Sequence, residues 1–64
     1  MMKQIGKTKD KELVQLFKDQ IYYESRYATG GPVSYIVHYV VAKEEVASVS
    51  YNFDKETYIL RIAQ

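Results

Sequence analysis

His38 is the only histidine in the chain, so any proton shuttle or metal centre built on imidazole has to include it. It stands in Ser34-Tyr35-Ile36-Val37-His38-Tyr39. In an extended strand the side chains that share its face are Ser34, Ile36, Val40 and Ala42. None of these is a carboxylate, thiolate or imidazole, and a metal centre needs several such ligands converging. Ser48 and Ser50 fall on the same sheet face. Serine activation also needs an acid to orient the imidazole and donors for an oxyanion, and the sequence shows neither. No pair of carboxylates is placed for glycoside-type acid/base work. The expectation is a chain that is not an enzyme, with no metal and no cofactor.

The Gly30-Gly31-Pro32 run raises phosphate binding. A phosphate cradle follows a strand and opens a helix. Here the glycines follow a helical pattern and precede an alternating one, so they are expected to stop a helix.

The elements that would position these residues divide at Pro32. Residues 1–7 carry lysines and little apolar pattern and are expected to be a flexible arm. Thr8 or Asp10 supplies an N-cap oxygen. Leu13, Phe17 and Ile21 then repeat every four residues, flanked by Val14 and Leu16, which predicts a helix running to about Ala28. Beyond Pro32 the period becomes two. Residues 33–42, 47–53 and 58–64 read as three strands rich in β-branched and aromatic residues, joined by the short polar breaks Ala42-Lys43-Glu44-Glu45 and Asp54-Lys55-Glu56. Short connections make the strands antiparallel neighbours. The expected fold is α+β, a single small domain with one N-terminal helix on a three-stranded antiparallel meander, in the order α-β-β-β. Its core would join Leu13, Val14, Phe17 and Ile21 to Tyr35, Val37, Tyr39, Val49, Tyr51, Phe53, Leu60 and Ile62.

On that helix, at about 100° per residue, Tyr23 and Tyr27 lie on the shoulder of the apolar stripe and Tyr22 lies opposite it. Lys11, Gln15, Lys18, Tyr22 and Arg26 then form one outward strip, basic and with a single ring. Tyrosine and arginine are enriched at interface hot spots, so this strip is the expected partner-binding face. The sheet face away from the helix would present Ile36, His38, Val40, Val46, Ile59 and Arg61 among small polar residues. That is more apolar than a solvated sheet face usually is, and it is the expected face for self-association or a second partner.

Composition bounds the rest. With 64 residues, no cysteine and 47% hydrophobic content, the chain is globular and without covalent staples, so association is a source of stability. No apolar run reaches the roughly 18 residues of a membrane-spanning helix, and no secretion signal follows the first lysines. Cytoplasmic location is the expectation. The net charge of +1 weighs against general affinity for nucleic acid. Five lysines against three acids in residues 1–20 nevertheless bias that end towards the positive. The leading expectation is a small non-catalytic module that binds another protein as an inhibitor or regulator. A chain this small, with one helix, three strands and no visible catalytic chemistry, would suit an accessory protein of a phage or mobile element. A homodimer through the outer sheet face would accompany it. The alternative is a nucleic-acid binder that uses Lys3, Lys7 and Lys9 with the basic helix strip.

Overall fold

The computed structural model describes residues 2–63. Its elements are β1 (Met2–Thr8), α1 (Lys11–Asp19), β2 (Ser25–Gly30), β3 (Ser34–Val41), β4 (Glu44–Asn52) and β5 (Thr57–Ala63). The strands form one antiparallel sheet in the order β1-β5-β4-β3-β2. The fold is therefore mainly β, a five-stranded sheet carrying one short helix, and not the α-β-β-β arrangement with a three-stranded meander. The three expected strands are present as β3, β4 and β5. Two further strands flank them.

The first correction concerns the expected arm. Met2–Thr8 pairs along β5, from Met2 opposite Ala63 to Thr8 opposite Tyr58; residue 1 lies outside the described residues. Its lysines and single Ile5 give no alternating pattern, so only the ladder with β5 makes it a strand. The second correction concerns the helix. Asp10 does cap it, accepting from the Glu12 amide at 2.9 Å, while Thr8 Oγ1 accepts from the Asp10 amide at 3.0 Å. The helix ends at Asp19, some nine residues short of expectation. Residues 25–30 instead pair with β3, from Ser25 opposite Val40 to Gly30 opposite Tyr35. Six residues of ladder on an otherwise bare edge of β3 outweigh a helical extension that would reach past the sheet. Accordingly, Gly30-Gly31 turns a hairpin rather than capping a helix: the Gly31 amide donates to the Ser34 carbonyl at 2.9 Å.

The helix follows β1 and packs on β1 and β5, and the chain then crosses to the far edge as β2. Nine residues span only about 14 Å, so α1 covers only part of the sheet. Val14, Tyr39, Ala47, Val49 and Leu60 are buried, with Phe17, Ile21, Val37, Val46, Tyr58 and Ile62 packed around them. The inward stripe is the buried Val14 with the half-buried Phe17 and, just past the helix end, Ile21. Leu13 and Leu16 are 51% and 56% exposed, so the helix is rotated from the Leu13-centred phase. Phe53, also expected in the core, is 48% exposed.

Two bulges adjust the register. The pairing shifts at Gln4/Gly6 on β1 and opposite Tyr39/Val40 on β4. A bulge places two successive residues against one partner and turns the following side chains to the other face. Val46 and Ala47 thereby both meet the helix side, and Glu45 passes to the opposite face beside His38.

Candidate binding surface

On the helix side, the half of the sheet that α1 leaves open is aromatic. Tyr35, Tyr51 and Tyr58 lie in register across β3, β4 and β5. Tyr51 packs on Tyr58 with ring centroids 4.5 Å apart and meets Phe53 edge-on at 5.2 Å. Tyr35 joins both at 5.7 and 5.6 Å. These tilted and edge-on contacts avoid the face-to-face sandwich that quadrupolar rings disfavour. Burial holds the Tyr35 phenol above its ordinary pKa of 10.0, and the neighbouring Tyr58 and Tyr51 phenols push it the same way. Beside this floor a depression of about 220 Å³ is lined by Lys9, Lys11, Tyr51, Glu56 and Tyr58. The turn into α1 thus brings Lys9 and Lys11, together with Glu56 of the β4–β5 turn, to the edge of the aromatic cluster.

At the other end of the helix an apolar cleft of about 390 Å³ opens between α1 and the bulged strands. Ile5, Phe17, Gln20, Ile21, Tyr22, Val46, Ala47 and Ile62 line it. Ile5 is the extra residue of the β1 bulge and Val46 that of the β4 bulge. The cleft exists because both bulges lie at this end of the sheet.

The expected strip of Lys11, Gln15, Lys18, Tyr22 and Arg26 is dispersed. Lys11 borders the aromatic floor. Gln15 Nε2 donates to Asp19 Oδ1 along the helix at 2.8 Å. Lys18 is half-buried one turn after Val14. Tyr22 lies beyond the helix, 70% exposed at the mouth of the cleft. Arg26 lies on β2 opposite Tyr39, where its positive charge acts on the phenol. Tyr39 is 1% exposed and takes the Tyr23 ring edge-on at 4.9 Å. Burial raises its phenol pKa from 10.0 more than the nearby Arg26 lowers it. A strip read at helical period could not survive the change to strand at residue 25.

The outer face holds five of its six expected residues. Ile36, His38, Val40, Ile59 and Arg61 are all half-buried there; Val46 is the exception, placed on the helix side by the bulge. Three partners of His38 were not legible in the sequence. Its Nδ1 is 2.5 Å from Glu45 Oε1 and its Nε2 is 2.9 Å from Thr29 Oγ1. The Tyr27 ring stacks on the imidazole at 4.6 Å and 17°. Across the buried Ser48, Arg61 donates to Ser50 Oγ at 2.6 Å. Carboxylate, imidazole and hydroxyl in line have the order of a nucleophile relay. They lie on an open sheet face, however, outside both depressions described above. A relay also needs donors aimed at a developing oxyanion and a bound acyl group. The arrangement serves as a polar interlock tying β2, β3 and β4 together. Among the described residues no group of three His, Asp or Glu side chains is placed to hold a metal ion. No helix among them is long and apolar enough to cross a membrane.

Comparison with known proteins finds no matching family model, no matching curated protein and no matching solved structure.

Proposed function

We propose that this chain is a small, non-catalytic, cytoplasmic module that docks on another protein and acts as its inhibitor or regulator. The supporting observation is the aromatic floor of Tyr35, Tyr51, Phe53 and Tyr58 left open beside α1, with Lys9 and Lys11 at its edge. Rigid tyrosines give large contact area at small entropic cost, and aromatic anchors near cationic side chains are what interface hot spots are made of. The partner this chemistry suits is a protein surface with an apolar anchor flanked by carboxylates. Tyr22 at the mouth of the apolar cleft offers a second contact on the same side of the molecule.

The test is affinity capture from the native host with wild-type protein, Tyr51→Ser and Arg61→Ala. The proposal expects one host protein captured by wild type and by Arg61→Ala, and lost with Tyr51→Ser. Capture that survives Tyr51→Ser removes the aromatic floor as the docking surface.

A second reading uses the same residues. Single strands of nucleic acid stack bases on aromatic platforms while lysines follow the phosphates, and Lys9 and Lys11 beside Tyr51 and Tyr58 suit that arrangement. The net charge of +1 weighs against it. Titration with single-stranded DNA and RNA at low and high salt separates the two readings, because phosphate contacts make affinity fall steeply with salt.

A further inference from the structure

The two edges of the sheet are not equivalent. β1 carries Lys3 and Lys7 and is interrupted by a bulge at Ile5, the devices by which sheet edges discourage pairing. β2, Ser-Arg-Tyr-Ala-Thr-Gly, has neither a bulge nor a proline, and all six of its residues are exposed.

The hydrogen-bond phase of β2 follows from its hairpin. The Gly31 amide donates to the Ser34 carbonyl, so Gly31–Ser34 is a bonded pair. Bonded and non-bonded pairs alternate in an antiparallel ladder. Ser25, Tyr27 and Thr29 therefore turn their backbone groups towards β3, and Arg26, Ala28 and Gly30 turn theirs to the free edge. The far side of β3 gives the same phase independently. There the Phe53 amide donates to the Val33 carbonyl, which assigns the odd residues of β3 to β4 and the even ones to β2.

We propose that β2 pairs antiparallel with β2 of a second copy of this chain, about a two-fold axis at Ala28. In that register Ala28 faces Ala28 of the second copy and Arg26 faces Gly30. All three outward residues on each strand find a bonded partner, giving about six backbone hydrogen bonds at two per bonded pair. Moving the axis to Arg26 would set two guanidinium groups against each other, and moving it to Gly30 or to either neighbouring position leaves outward groups unpaired. At Ala28 each arginine lies opposite a residue without a side chain. Tyr27 then lies in the close, non-bonded position beside Thr29 of the second copy. Because Tyr27 stacks on His38 and Thr29 bonds it, the polar interlock of each copy meets that of the other at the axis. The product is a continuous ten-stranded sheet that leaves both aromatic floors free.

The chain has no cysteine, so Ala28→Cys introduces the only thiol. Facing residues of a bonded pair have Cα atoms about 5.5 Å apart, within disulfide range. Mild oxidation is expected to give a disulfide dimer in high yield, while Lys3→Cys on the other edge stays monomeric. Sedimentation of wild-type protein up to millimolar concentration is expected to approach twice the 7.5 kDa chain mass. Ala28→Pro is expected to return it to monomer with an unchanged circular dichroism spectrum, because the amide it removes makes no bond to β3. A wild type that stays monomeric overturns the proposal. So does a dimer that persists in Ala28→Pro, or an Ala28→Cys chain that crosslinks no better than Lys3→Cys.

Discussion

Exchanging Val14 for alanine, set beside Leu13→Gln and Leu16→Gln, tests which face of α1 holds the protein together. Val14 is 3% exposed, whereas Leu13 and Leu16 are 51% and 56% exposed. Val14→Ala removes two buried methyl equivalents at about 0.8 kcal/mol each and leaves a small cavity against Tyr39, Val49 and Leu60. Alanine returns about 0.5 kcal/mol through its better helix propensity. The net cost is about 1.5–2 kcal/mol. Glutamine at 13 or 16 keeps a stem of similar length on an exposed surface and is expected to change stability by less than about 0.5 kcal/mol. In a domain of 64 residues, each kcal/mol moves Tm by about 4–8 °C. Val14→Ala should therefore melt about 6–16 °C lower and the glutamine variants within a few degrees of wild type. Urea denaturation followed by far-ultraviolet circular dichroism, at one fixed protein concentration, reads all three. A larger loss at Leu13→Gln than at Val14→Ala would restore the Leu13-centred stripe and refute the packing described above.

Gly30→Ala is expected to destabilise by about 2–3 kcal/mol or to misfold the β2–β3 hairpin, since its φ is +158° and a Cβ would lie 2.6 Å from the Ser34 carbonyl oxygen and the Tyr35 Cα; Gly31→Ala, with open space around it, should cost far less in the same melt. The β3–β4 turn holds Ala42 and Lys43 at φ of 53° and 68°, so replacing the pair by Asn-Gly should raise the urea midpoint by the equivalent of about 1 kcal/mol. Tyr35 and Tyr39 have phenol pKa values raised above 10.0 by burial. The unfolded chain therefore ionises first, and their contribution is intact below about pH 10 and lost as pH climbs through the folded values. Tyr39→Phe should shift that alkaline loss to higher pH in a pH-dependent melt, and no change would remove Tyr39 from the account.

The parts legible in the sequence are those governed by neighbours along the chain. A cap for α1 at Thr8 or Asp10, the alternation from Tyr35 through Ile62 and the two turns of the meander were all readable, because a cap, a pleat and a tight turn each depend on a few consecutive residues. The identity of the outer face was readable for the same reason at Ile36, His38, Val40, Ile59 and Arg61. It failed at Val46. A bulge is set by how β4 meets β3 and not by β4 alone, and one extra residue inverts the face of everything before it.

The sequence by itself determined that this chain has an amphipathic helix near its start, three alternating strands after Pro32, no thiol chemistry and a single imidazole. Tertiary structure alone decided that Met2–Thr8 and Ser25–Gly30 are strands. Neither segment has a period of its own, and each is extended because an edge of the meander offers unpaired amides and carbonyls that must find partners. That choice cut α1 to nine residues and dispersed the strip from Lys11 to Arg26. It also exposed the aromatic floor and brought Tyr27, Thr29 and Glu45 to His38. Those contacts join residues 7 to 11 positions apart in the chain, across strands whose pairing no local pattern records.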